Sequence, residues 1–344
     1  MKRYTTFIIF FFSALVLSAQ IPENYYAPAE GLEGDALKEA LYGIIKGHTE
    51  YPYTSSSTDV WDILKETDRD TANADNVILF YTGWSVNAAQ EYNSGSGWNR
   101  EHVWAKSRGD FGTSPGPGTD VHHLRPADIS VNSARNNRWF DDCTEPYYDN
   151  GTATGCYTSS TSWVWEPREA VKGDVARMIF YMATRYEGEN GEPDLEMIDY
   201  LPADNYTNEP IHAMLSTLMQ WHEEDPVDDF ERHRNEVVYH YQHNRNPFID
   251  HPEYAALIWG SPNEVTTVTT KISFSVYPNP ARNYVLVNKP AGYTVTLHNI
   301  IGTSLFSTTD NRISLEDTDN GIYILILSHP DGTPVTSRRL VVKK

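Results

Sequence analysis

Asn99-Arg100-Glu101-His102-Val103-Trp104, then Asp120-Val121-His122-His123-Leu124-Arg125-Pro126, then Asn132-Ser133-Ala134-Arg135-Asn136-Asn137 are the segments on which the reading of this chain turns. A Gly/Ser-rich loop (94–97) precedes the first, and a loop with two prolines and four glycines (109–118) separates it from the second. A neutral histidine has a pKa of about 6.5 and is a competent base toward water near neutral pH. Magnesium prefers oxygen ligands and often takes only one or two from protein, leaving water and substrate phosphate to complete its shell. One carboxylate and one amide oxygen suffice, and a nearby arginine can hold charge that develops on phosphorus. Adjacent residues of a regular strand, such as Glu101 and His102, face opposite ways. They can serve one phosphate only if the strand ends or bends there, and the flanking loops predict such a break.

The surrounding residues divide by what each can do. His122 and His123 are consecutive, so at most one faces the site and the other is a core hydrogen-bonder. Asp120 is expected to orient a His or Arg from behind. Arg135 and Asn136 read equally well as helix surface or as site residues. Asn244 to Asn246 and Asp250 fit a self-bonded turn, and Asp174 and Arg177 a structural pair.

Outward from these segments, Leu37, Leu41, Ile44 and Ile45 have helical spacing over 35–46. Val77 to Tyr81 reads as a buried strand stopped by Gly83, and Ile129 to Phe140 as the start of a helix. Further helices are expected over 171–186, 211–224 and 228–243. After Trp259-Gly260-Ser261-Pro262 the composition changes to a Thr/Val linker at 263–271. Residues 272–344 then alternate apolar and polar residues, with turns at Asn279-Pro280, Ile301-Gly302, Asn320-Gly321 and Asp331-Gly332. Short strands at that spacing predict a small β-sandwich.

The 344 residues carry a net charge of −20, which argues against tight wrapping of a polyanion. The charge is uneven. Residues 20–262 hold 17 basic and 41 acidic residues, whereas 98–140 hold six basic against four acidic. A small cationic spot in an acidic body suits brief, non-specific contact with a phosphate backbone. At the start, Lys2 and Arg3, the apolar run from Phe7 to Val16 and Ser18-Ala19 read as a secretory leader over 1–19. That run is too short for a membrane span, which needs about 20 residues. In an exported chain Cys143 and Cys156, in one polar loop region, are expected to form a disulfide. A zinc peptidase is set aside because no His-Glu-x-x-His is present.

The three segments resemble those of the endonuclease I family of periplasmic and extracellular nucleases, whose active site is a ββα-metal finger. Lys172-Gly173-Asp174-Val175-Ala176-Arg177 and Asn244-Arg245-Asn246-Pro247-Phe248-Ile249-Asp250-His251-Pro252 extend the resemblance over most of 35–260. It implies an α+β fold, His102 as general base, and Glu101 and Asn132 as ligands of one Mg2+, with Mn2+ and Ca2+ as open substitutes. It also implies phosphodiester cleavage that gives 5′-phosphate ends, with DNA the expected substrate and the choice between DNA and RNA left open. Arg125 and Arg135 are the candidates for the transition-state arginine, with Arg108 a third. Arg100, Asp120, His122, His123 and Asn136 are candidates for support or substrate contact. The chain departs from the family pattern in Ala105, where proline is expected, and His243, where glycine is common. Val276-Tyr277-Pro278-Asn279-Pro280, Asn320-Gly321-Ile322-Tyr323 and Lys343-Lys344 resemble the type A sorting domain of the type IX secretion system, which makes that machinery a partner.

The expectation is therefore a monomeric, secreted endonuclease with a leader (1–19), a nuclease domain (20–262), a linker (263–271) and a C-terminal β-sandwich (272–344). The rival from another class is a secreted nucleic-acid-binding or adhesion protein on an inactive nuclease scaffold.

Overall fold

Leu37, Leu41 and Ile45 are completely buried, and this apolar stripe is why Gly34–Ile45 folds as helix α1. The computed structural model describes residues 21–260, 274–290, 292–299, 302–330 and 332–344. The expected leader and linker lie outside the described residues. The chain divides into two compact units, Met1–Ser261 and Pro262–Lys344.

In the first unit, helix α2 (Val60–Thr67) starts on a reciprocal capping box. Asp59 accepts the N–H of Trp61 at 2.8 Å and of Asp62 at 3.3 Å, while the Asp62 carboxylate accepts the N–H of Asp59 at 3.4 Å. Strands β1 (Asn76–Ile78) and β2 (Ser85–Asn87) form a short antiparallel pair. Strands β3 (Trp98–His102) and β4 (Leu124–Asp128) pair antiparallel, with Glu101 opposite Arg125 and His102 opposite Leu124. Helix α3 (Ile129–Arg135) follows without a loop because Asp128 ends the strand and caps the helix. Its Oδ1 accepts the N–H of Ser130 at 2.9 Å and of Val131 at 3.3 Å.

The helix expected from Ile129 to Phe140 thus ends at Arg135. Asn136 takes a left-handed φ of 54°, which asparagine tolerates and a helix cannot continue through. Trp139–Phe140 is instead strand β5. With β6 (Glu145–Asp149), β7 (Thr152–Ser159) and β8 (Val164–Glu166) it makes a sheet in the order β5-β8-β7-β6.

Helix α4 (Lys172–Arg185) is buried at every residue. Its Val175, Ile179 and Met182 are fully buried, each worth roughly 1.5–3 kcal/mol over exposure. Gly173 is required, since a Cβ there would lie 2.0 Å from the Asp225 carbonyl oxygen. Arg177 bonds Glu231 at 2.7 Å and reaches the expected partner Asp174 only at 3.7 Å. Strands β9 (Glu196–Met197) and β10 (Ile211–His212) pair in parallel, so the helix expected from Ile211 begins at α5 (Leu215–Glu224). Helices α6 (Asp229–Gln242), α7 (Pro247–Asp250) and α8 (Glu253–Trp259) complete the unit. His243 ends α6 at a φ of 62°, a conformation glycine adopts without strain. Asn246 caps α7 through the Phe248 N–H at 3.0 Å, and Arg245 bonds Asp250 at 2.6 Å, so this segment is a self-bonded turn.

The expected Cys143–Cys156 disulfide is not formed; both cysteines are free. Cys156 on β7 enters the main core, where its thiol donates to the Tyr81 carbonyl at 3.2 Å. Cys143 packs on a separate cluster with Trp139, Val164 and Ala213. The two sulfurs therefore belong to different cores despite their closeness in sequence. Burial pushes their pKa values up to about 12 and about 11, so both remain thiols.

In the second unit, β11 (Ser275–Tyr277), β12 (Tyr284–Asn288), β13 (Thr294–Asn299), β14 (Ser304–Thr308), β15 (Arg312–Ser314), β16 (Gly321–Ser328) and β17 (Pro334–Val342) form two antiparallel sheets, β11-β12-β15 and β14-β13-β16-β17. Val285, Val287 and Ile313 of one and Val295, Leu297, Leu325, Leu327 and Leu340 of the other share one apolar core. Among the described residues no helix is long and apolar enough to cross a membrane.

Candidate active site

Strand β3 ends at His102, the break that Glu101 and His102 need if both are to serve one site. Both are buried, and both line a pocket of about 510 Å³ with Asn132 and Arg135. Asn99, Arg100, Lys106, Asn136 and Asn137 also line it, and Tyr53, Trp61 and Tyr92 form an aromatic wall.

Glu101 is fixed from two sides. The Phe80 N–H donates to the Pro126 carbonyl on β4 at 2.8 Å, which brings the next residue beside β3. The Tyr81 hydroxyl then donates to Glu101 Oε1 at 2.7 Å. Arg135, from the last turn of α3, places Nη1 3.2 Å from the same oxygen. Arg135 also donates to the carbonyls of His102 at 3.1 Å and Val103 at 2.6 Å, so one guanidinium ties the helix to the end of the strand. Burial raises the Glu101 pKa, with Arg135 and Tyr81 pulling the other way.

His102 Nε2 lies 3.0 Å from the Gly118 carbonyl oxygen. A carbonyl can only accept, so Nε2 carries the hydrogen and Nδ1 keeps its lone pair. Burial, reinforced by His123, holds the ring pKa well below the ordinary histidine value. The Tyr53 ring stacks on it at 5.7 Å. The arrangement is a neutral, oriented imidazole with a fixed tautomer.

Asn132 donates its NH2 to Asn99 Oδ1 at 2.9 Å, which leaves its own Oδ1 as a candidate ligand. On Glu101, Tyr81 and Arg135 both engage Oε1, and no side chain of the described residues is bonded to Oε2. Two hard oxygens on one pocket wall, with room for water and phosphate, fit a magnesium-like ion.

The other candidates separate clearly. Arg125 does not line the pocket. It is buried in ion pairs with Asp68 at 2.6 Å and Asp174 at 3.1 Å. Arg108 is also turned away, stacked on Trp139 at 2.9 Å and bonded to the Asn137 carbonyl at 3.0 Å. Arg100 does line the pocket, its guanidinium over Tyr53 at 3.3 Å and Trp61 at 4.0 Å. His123 packs against His102 with ring centroids 5.6 Å apart and bonds the Pro117 carbonyl at 2.7 Å. His122 points elsewhere, to Asn244 at 3.2 Å. Asp120 is a structural hub. It accepts from Tyr181 at 2.8 Å, Tyr186 at 2.9 Å, Gln242 at 3.0 Å and the His122 N–H at 3.0 Å. Asn136 lines the pocket, its side chain accepting the Asn137 N–H at 2.7 Å. Lys106, exposed at the pocket, was legible only as one of the cations of 98–140, and nothing in the sequence singles out Tyr53, Trp61 or Tyr92.

With this geometry in place, comparison with known proteins defines the class. The Endonuclease I family profile matches residues 33–253, and a secretion-system C-terminal sorting domain matches 275–343. An extracellular ribonuclease of Bacillus subtilis is 55% identical over 238 residues, 69% of this chain and 78% of that one. An extracellular ribonuclease of Bacillus amyloliquefaciens is 53% identical over 248 residues, 72% of this chain and 82% of that one. A solved structure of PorZ, a surface component of the type-IX secretion system of Porphyromonas gingivalis, is 20% identical and covers 26% of this chain and 13% of that one. Its TM-score of 0.19 does not establish a shared fold. The protein is a secreted nuclease, extracellular or at the cell surface. The chain belongs to the Endonuclease I family and carries a type IX sorting domain at its C-terminus.

Proposed function

We propose that this chain is a non-specific endonuclease that hydrolyses phosphodiester bonds in RNA or DNA with one bound Mg2+ and His102 as general base, leaving 5′-phosphate ends. The single observation carrying this reading is the Gly118–His102 hydrogen bond, which leaves Nδ1 free to accept a proton at a pocket wall shared with Glu101 and Asn132. Glu101 and Asn132 would hold the ion through oxygen, with water and a substrate phosphate in its remaining positions. Bound there, the ion would withdraw charge from the scissile phosphate and its leaving oxygen.

The protein's own groups do the rest. His102 Nδ1 takes a proton from the attacking water. Arg135 keeps Glu101 ionised against burial and fixes the strand end, and unlike Arg125 and Arg108 it lines the pocket. Lys106 and Arg100 offer positive charge for the phosphates on either side of the scissile bond. Names of relatives at 55% and 53% identity make RNA the first substrate to test. The C-terminal unit serves delivery through the secretion machinery. Purified protein should cut labelled RNA and supercoiled plasmid, lose activity in EDTA and regain it with Mg2+. Binding without cleavage under any divalent ion would favour the inactive-scaffold alternative.

A further inference from the structure

Beyond the pocket, three side chains from separate segments converge. Arg138 follows α3, Trp163 precedes β8, and Tyr206 comes from the loop ahead of β10. The Arg138 guanidinium lies 4.0 Å over the Trp163 ring, and the Tyr206 ring centroid is 5.0 Å from Trp163. Each inner member is held in place. Arg138 donates to the carbonyls of Ala134 at 3.1 Å and Ser159 at 2.9 Å. The Trp163 carbonyl accepts the Trp139 N–H at 3.0 Å, and its indole N–H donates to Asn137 Oδ1 at 2.8 Å. Trp163 holds this position at a φ of +55°, a conformation disfavoured for a bulky residue. Tyr206 nevertheless remains 61% exposed.

An aromatic ring left open to water beside a second ring and a cation is the composition of a base-stacking platform for single-stranded nucleic acid. Its link to the chemistry is Asn137, which both lines the pocket and anchors the Trp163 indole. Several tyrosines are open to water, but among the exposed tyrosines of the described residues Tyr206 is the one whose ring packs on a second aromatic ring. The geometry points to Tyr206, Trp163 and Arg138 as a subsite that stacks an unpaired base of the substrate next to the cleavage pocket. This inference rests on the nuclease reading and extends it to a preference for single-stranded regions. Paired bases keep their faces inside the duplex and cannot use the platform.

The test is binding of a fluorescent 12-nucleotide RNA, and of the matching duplex, to His102→Ala protein by anisotropy in Mg2+. Adding Tyr206→Ala or Trp163→Ala should weaken single-strand binding by about 5- to 150-fold, the range for one stacked base, and leave duplex binding nearly unchanged. Trp163→Phe keeps a ring but loses the bond to Asn137, and should retain most of the affinity. Tyr148→Ala removes an equally open tyrosine (58% exposed) outside the cluster and should change nothing. Thermal unfolding of each variant guards against misfolding. Unchanged affinity in folded Tyr206→Ala, or equal losses on single strand and duplex, overturns the subsite. Cleavage of the probe by His102→Ala protein at close to the parent rate overturns the catalytic reading instead. The comparison is then completed on a 2′-O-methyl phosphorothioate strand that resists hydrolysis.

Discussion

The Gly118 carbonyl oxygen lies 3.0 Å from His102 Nε2, and this one contact sets which nitrogen of the ring can act as a base. His102→Ala should lower the cleavage rate about 10²–10⁴-fold with little change in folding. Because burial depresses the ring's pKa, the base is unprotonated throughout the neutral range. The rising limb of the pH–rate profile should therefore fall below pH 6.5. A near-parent rate in His102→Ala would sink the assignment.

Metal binding and proton acceptance can be separated. Asn132→Ala should raise the Mg2+ concentration needed for half-maximal rate, and high Mg2+ should restore most of the activity. His102→Ala should show no such rescue, since added metal does not replace a proton acceptor. Glu101→Ala is a harsher change because it also leaves Arg135 buried without its carboxylate. If all three variants share one Mg2+ dependence, the ligand roles are wrong.

Arg125 is predicted to matter for stability and not for the chemical step. Arg125→Met leaves Asp68 and Asp174 buried without their main partner, a change that typically costs about 3–5 kcal/mol. Urea unfolding should show the loss, while the folded variant keeps essentially the parent kcat. A stable variant with a collapsed kcat would return Arg125 to the catalytic set.

Acid should destabilise the fold through histidines outside the pocket. Burial holds His122 and His222 at about 4, below the ordinary 6.5. Between those values the unfolded chain binds protons that the folded chain refuses. Their stabilising effect is thus complete above about pH 6.5 and fades as the pH falls toward 4. Urea midpoints at pH 7, 5.5 and 4.5 should decline less steeply in His222→Gln; an identical decline would assign the acid sensitivity to other groups.

Local chemistry made part of this architecture legible. The apolar stripe of α1 and the buried helix α4 follow from spacing alone, and the Glu101–His102 pair with Asn132 follows from motif chemistry. What stayed hidden depends on long-range approach. Tyr81 reaches Glu101 only because residue 80 bonds to β4. The fates of Arg125 and Arg135 differ only because Asp68 and Asp174 wait on one side and Glu101 on the other. Likewise, two cysteines only thirteen positions apart send their side chains into different cores. Sequence distance carries no information about that.

The Asp120 carboxylate gathers Tyr181 and Tyr186 at one end of α4 and Gln242 at the end of α6, next to the loop that presents the Gly118 carbonyl. The hairpin and helix that wall the pocket therefore do not form a portable cartridge. Residues 98–137 grafted onto another protein would carry the proposed base and the proposed ligands but leave behind the anchors at 181, 186 and 242. Such a chimera would have a histidine free to swivel and no reason to keep its lone pair on the correct side. Redesign of this enzyme should begin at its rim, where exposed rings and cations can be exchanged without disturbing that anchorage.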